Sequence, residues 1–126
     1  MPVVPTHSDL TYKIEDINGR QVEKWLWQGQ LHSVDDLPSM IVDGGVERHW
    51  HTHGILHRCG APAIIAGATE IWYYLGAKHR ADGPAHISPG LEYWYLHGKR
   101  YNSVQEWVCD TDCNTPELAM LKLKYM

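Results

Sequence analysis

Apolar and polar residues alternate in short stretches along most of this chain, and the stretches come in pairs. One of each pair begins on a proline, at residues 38–42, 62–66 and 84–88, and the other carries a tryptophan, at residues 47–52, 70–75 and 92–96. A period of two marks a half-buried strand. Turns containing glycine, such as Asp43-Gly44-Gly45, Ala66-Gly67-Ala68 and Ser88-Pro89-Gly90, join the stretches. Each unit therefore reads as a hairpin. Upstream, residues 10–14 read as a strand, Asn18-Gly19 as a two-residue hairpin turn, and residues 22–27 as the first repeat strand. The pattern predicts a mainly β fold, a single-layer antiparallel meander of stacked repeat hairpins with about eight strands. A loose arm (1–9) precedes the sheet (10–101).

The pairs are copies of one unit. Trp25, Trp50, Trp72 and Trp94 each precede a glycine by four residues, Gly29, Gly54, Gly76 and Gly98. Three residues after the glycine stand His32, His57, His79 and then Tyr101, and further on Pro38, Pro62 or Pro84 is followed by a small residue. A repeat of this length means stacked copies of one small motif. Strand alternation places the four tryptophans in one column on one face. The other face carries His49/His51/His53, Ile71/Tyr73/Leu75 and Tyr93/Tyr95/His97. Both faces are partly apolar, so something must cover at least one of them. The C-terminal segment (103–126) offers a cover. Ser103 with Glu106 is a capping box, predicting a helix from about Val104. Thr115-Pro116-Glu117 predicts a second helix, with Leu118, Leu121 and Tyr125 on one side.

Composition narrows the reading. The chain has 126 residues and a formal net charge of −4, which gives one domain and no electrostatic case for nucleic acid. There is no apolar run long enough to span a membrane, and MPVVPTHSDL lacks the basic and apolar segments of a secretory signal. Three cysteines, Cys59, Cys109 and Cys113, do not make a disulfide framework, so a reducing cytoplasm is expected. Phe is absent while six Trp and seven Tyr carry the aromatic load. Those residues suit half-exposed faces that bind.

With WYYLGAKHRADGPA on the page, the chain resembles the short repeats of pattern W-Y-x-x-G-x-x-H-R-x-D-G-P-A found in small proteins of tailed phages and bacteria. These are similar to membrane occupation and recognition nexus (MORN) repeats. The resemblance covers about residues 20–101. The third repeat, from Trp72 to Ala85, matches in full. The second keeps Trp50, Gly54, His57, Arg58, Pro62 and Ala63, but has Cys59-Gly60-Ala61 where the acid should be. The first has Ser33 in place of Arg and one extra residue, and the fourth departs after Gly98 into Tyr101-Asn102-Ser103, as a capping repeat does. MORN-like sheets bind proteins or lipids, and some relatives of these repeats are antitoxins. The resemblance implies a small phage or phage-derived factor that binds and neutralises or redirects a host protein.

Three constellations could carry chemistry. The sheet face with Ile71, Tyr73, Tyr93, Tyr95, His49, His51 and His53 is the candidate surface for a host or cognate protein. Arg58, Lys78, Arg80, Lys99 and Arg100 are expected along one loop edge, a basic strip able to grip a phosphate or carboxylate. A nucleotide-sequestering protein would use it beside the aromatic face. The same loop residues fit a structural role, His bonding loop backbone and Arg pairing with an acid of its own or the next repeat. His49, His51 and His53 alternate along one strand and could be the ligands of a metal-dependent enzyme, though three on a straight strand span too far for one ion without a bulge or a ligand from elsewhere. No cofactor is expected. The chain has no nucleophile elbow, Gly-rich phosphate loop or HExxH motif, so a binding protein is expected rather than an enzyme. An unpaired edge strand also invites a homodimer.

Overall fold

The computed structural model describes residues 5–110. Strands β1 (Thr11–Ile17), β2 (Arg20–Trp27), β3 (Gln30–Leu31), β4 (Met40–Val42) and β5 (Glu47–His49) are followed by β6 (His51–Thr52) and β7 (Ile55–Leu56). Then come β8 (Ile64–Ala66), β9 (Thr69–Ile71), β10 (Tyr73–Tyr74), β11 (Ala77–Lys78), β12 (His86–Ser88), β13 (Leu91–Leu96), β14 (Lys99–Tyr101) and helix α1 (Val104–Asp110). The main sheet has ten strands in the order β1-β2-β4-β5-β8-β9-β12-β13-β14, with β3 on β2. Every pairing in it is antiparallel and the path through the sheet follows chain order, which is the predicted meander.

The strand count exceeds the expected eight because each tryptophan stretch does two jobs. Its first half pairs in the main sheet. At Trp50 and Trp72 the ladder breaks, and the second half folds back on a further strand, as β6 on β7 and β10 on β11. The returns are two-residue turns at Gln28-Gly29, His53-Gly54, Leu75-Gly76 and His97-Gly98, with φ positive at both positions. That is the mirror-image turn whose twist matches a β-ribbon, and it is why the glycine four after each tryptophan never varies. The tips then stack. Gly54, Gly76 and Gly98 donate their amides to the carbonyls of Leu31, Leu56 and Lys78, one repeat earlier, at 2.8 Å each.

The residues after the prolines are small for a packing reason. Ser39, Ala63 and Ala85 have no exposed surface, and their amides donate to the carbonyls of His49, Ile71 and Tyr93. A buried cluster closes the far end of the sheet, where Trp94, Leu96 and Tyr101 meet Trp107 and Val108 of α1. Ser103 Oγ accepts the Glu106 amide at 3.2 Å, so the helix starts where its capping pattern predicts. The predicted second helix at Thr115-Pro116-Glu117 lies outside the described residues. The arm expected to be loose is docked over residues 5–9. Pro5 is buried, residues 7–9 form a 3-10 turn closed by Thr6 and Asp9, and the His7 ring lies 6.3 Å from that of Trp25.

Candidate functional site

On the tryptophan face each indole has its own lid. Trp25 packs against Tyr12 with ring centres 5.1 Å apart. The guanidinium carbon of Arg58 stands 3.7 Å from the Trp50 ring centre, and that of Arg80 stands 4.0 Å from Trp72. Trp94 is covered by Trp107 at 4.6 Å. The arginines are pinned from behind. Arg58 Nη1 donates to Pro62 O and Arg80 Nη1 to Pro84 O, at 3.0 and 3.2 Å. Arg58 also grips Asp36 of the preceding repeat with Nε and Nη2, which holds the Asp36 carboxyl below its ordinary pKa. Arg80 uses Asp82 of its own loop instead. The difference follows from sequence, because Gly60 stands in the second repeat where the third has Asp82.

The repeated histidine is a staple between units. Nδ1 of His32, His57 and His79 accepts the amide of His53, Leu75 and His97, at 3.1, 2.9 and 2.9 Å. An Nδ1 that accepts an amide proton is unprotonated, so Nε2 carries the ring hydrogen. The loop residues thus have the structural role that their recurrence allowed.

The structure does not bring the basic strip together. Cross-strand partners share a face, and Lys78 and Arg100 lie opposite Tyr73 and Tyr95 while Lys99 lies opposite Leu96. Lys78 and Arg100 therefore belong to the tyrosine face, and Arg58, Arg80 and Lys99 to the tryptophan face. Lys78 Nζ stands 5.1 Å from the Tyr95 ring centre and Arg100 Cζ 4.4 Å from that of Tyr93.

The histidine row is also divided. His49 and His51 stack with rings 6.1 Å apart and nearly parallel, but His53 sits on the turn at φ 48° and packs against Trp27 and His32. Strand alternation does not extend through a turn residue, so the predicted three-histidine face is two histidines. Among the described residues, no three of His, Cys, Asp and Glu are grouped to hold a metal ion. His49 Nε2 lies 2.6 Å from Glu47. His51 is buried, and its Nδ1 is 2.7 Å from Ser39 Oγ. Burial, with His49 beside it, pushes the His51 pKa down to about 4. The Ser39–His51 contact has the look of a nucleophile and its base, and nothing in the sequence pattern pointed to it. Ser39 has no exposed surface, which closes Oγ to any substrate.

No α-helix of the described residues packs on the tyrosine face. Met40, His49, Ile64, Ile71, His86 and Tyr93 stand opposite one another across consecutive strands. Tyr73 and Tyr95 continue the face beyond the tryptophan column. All eight side chains are half-buried, and α1 packs on the opposite side, against Trp94. On the tryptophan side, two shallow pockets repeat along the loops. One, of about 290 Å³, lies between Asp36, Trp50 and Arg58, and one of about 230 Å³ lies between Arg58, Trp72 and Arg80. Cys59 is exposed and borders both. Trp50 Nε1 donates to Asp36 O at 3.0 Å, whereas Trp72 Nε1 is buried with no partner among the described residues.

No match to the chain was found among protein-family models, curated proteins or solved structures. No helix of the described residues is long and apolar enough to cross a membrane.

Proposed function

We propose that the protein is a non-enzymatic binding module that takes a protein partner on its tyrosine face. The observation that carries this reading is the asymmetry of cover. Helix α1 closes the last tryptophan with Trp107, while the row from Met40 to Tyr93 has no covering element among the described residues. Aromatic rings flanked by cations suit a partner with an apolar ridge bordered by acids, since Lys78 and Arg100 border Tyr95 and Tyr93. The repeat resemblance favours a host or cognate protein in the cytoplasm of a bacterial host, which is neutralised or redirected. An antitoxin acting on its toxin would use the same surface. Capture from host lysate with wild type and with the Tyr93→Ala/Tyr95→Ala double variant tests this. The expected outcome is one specific partner whose affinity falls at least about 30-fold in the variant, as loss of a central aromatic anchor produces. Equal capture by both would move the site off this face.

A second reading rests on the pocket between Arg58 and Arg80, whose guanidiniums could hold a small anion such as a nucleotide phosphate. Calorimetry against a nucleotide panel, with Arg80→Ala as control, decides it. Absence of heat with every nucleotide ends that reading.

A further inference from the structure

The two edges of the main sheet are guarded differently. The β14 edge is three residues long, carries Lys99 and Arg100, and packs against α1. Short length, charge and a covering helix are the usual protections against strand addition. The β1 edge is long and uncovered. β1 runs seven residues in unbroken register with β2, contains no proline or bulge, and is exposed along its whole length, with Tyr12, Ile14 and Ile17 among its side chains.

The hydrogen-bond phase of β1 is fixed by its neighbour. The Trp25 amide donates to Ser39 O on the β4 side, so odd residues of β2 face β4 and even ones face β1. Arg20, Val22, Lys24 and Leu26 are registered with Ile17, Glu15, Lys13 and Thr11. The main-chain groups of Tyr12, Ile14 and Asp16 therefore point outward from the sheet, where no strand pairs with them among the described residues.

We propose that this edge pairs antiparallel with β1 of a second copy of the chain, about a two-fold axis at Ile14. In that register Ile14 faces Ile14, Tyr12 faces Asp16 and Lys13 faces Glu15, each of the last two pairs occurring twice. Ile14, Tyr12 and Asp16 are the residues whose amides and carbonyls point outward, so every pair that they form exchanges both its hydrogen bonds. Charge selects the register. An axis at Lys13 would set Lys13 against Lys13, and one at Glu15 would set Glu15 against Glu15. Within one copy Lys13 stands directly opposite Lys24, a like-charge pair, and forms no ion pair among the described residues, while Glu15 serves Lys24 at 3.0 Å. The second copy's Glu15 supplies the carboxylate that Lys13 lacks. The two tryptophan faces then continue on one side of the doubled sheet and the two tyrosine faces on the other.

The test is a complementary pair of charge variants followed by sedimentation over a range of concentrations. Wild type should dimerise. Lys13→Glu places two acids on each edge and should weaken self-association about tenfold or more, while the new carboxylate faces Lys24 and leaves the hairpin intact by thermal melting. Glu15→Lys should weaken it likewise with two lysines. An equimolar mixture of the two variants should recover a heterodimer, because each acid again meets a lysine. Should Glu15→Lys not fold, the swapped double variant Lys13→Glu/Glu15→Lys takes its place and should dimerise like wild type. A monomeric wild type overturns the proposal. So does undiminished dimerisation of either single variant, or the absence of recovery in the mixture and the swapped double alike.

Discussion

The middle of the sheet and its far end hold the same tryptophan by different means. At Trp50 and Trp72 the lid is a guanidinium, stacked on the ring and tied to a proline carbonyl and an aspartate. At Trp94 the lid is Trp107, fully buried, with Val108 beside it. The fourth repeat has Asn102 where the second and third have Arg, so it has no arginine of its own to lay over Trp94. An arginine lid keeps a charged head able to reach an aspartate or carbonyl of its own or the preceding unit, and suits a unit that must meet another copy on either side. An indole lid excludes water and suits the unit where stacking stops. The two lids bury their rings about equally, Trp50 at 4% exposed and Trp94 at 5%. The difference therefore lies in the lid, a partly exposed cation within the stack and an apolar indole at its end, as repeat proteins need terminal units of different chemistry.

The largest effect should come from the cap. Trp107→Ala removes a fully buried indole and should cost about 3–5 kcal/mol in urea unfolding. Arg80→Ala removes a lid from Trp72 while leaving that ring in place, and about 1–2 kcal/mol is expected from the lost stacking and hydrogen bonds. Equal losses would mean that the two lids are equivalent and that the far end is no special cap.

Much of this architecture is legible in the chain itself. The period in the tryptophans, the prolines and the small residues behind them determines a meander, and the Ser103–Glu106 pattern places α1. The second hairpin in each unit is not legible by composition. Asn18-Gly19 announces its turn because Asn-Gly is a turn pair, but Gln28, His53, Leu75 and His97 occupy the same position and are not residues that mark a turn. Their only signal is the glycine at a constant distance from tryptophan. The site suffers from the same gap. Without that turn, alternation keeps His53 on a strand with His49 and His51, and keeps Lys78, Lys99 and Arg100 on one edge with Arg58 and Arg80. Ser39–His51 is hidden for another reason. It replaces Ala63–Tyr73 and Ala85–Tyr95 in the later repeats, and only the fold shows that the two positions touch.

The first of these pairs distinguishes the second unit from the third in a way that acid should expose. His51 charges near 6.5 in the unfolded chain and near 4 in the fold. Between those values the unfolded chain binds the extra proton, so stability is full above about 6.5 and falls as the pH drops toward about 4. The loss amounts to roughly 3 kcal/mol. His32 and His86, whose pKa values burial also lowers, add in the same direction. Ser39→Ala/His51→Tyr gives this unit the pair found in the other two and should flatten most of the slope. Urea unfolding at a series of pH values measures it, and an unchanged slope in the double variant would remove His51 as its source.

The smallest expected difference lies between the two arginine lids themselves. Arg58 reaches across to Asp36 in the unit before, and Arg80 stays within its own loop on Asp82, so only the first couples two repeats. Both aspartates are largely exposed, which limits either pair to about 0.5–1 kcal/mol. Asp36→Asn and Asp82→Asn should therefore lower stability by similar small amounts. They should differ in where the loss is felt. Without the Asp36 carboxylate, the first unit loses an anchor to the second, and hydrogen exchange at the His51 and Ser33 amides, which bridge those units, should quicken. Asp82→Asn should leave exchange at those two amides unchanged. If both variants quickened it equally, Arg58 would be a local lid like Arg80 and not a link between units.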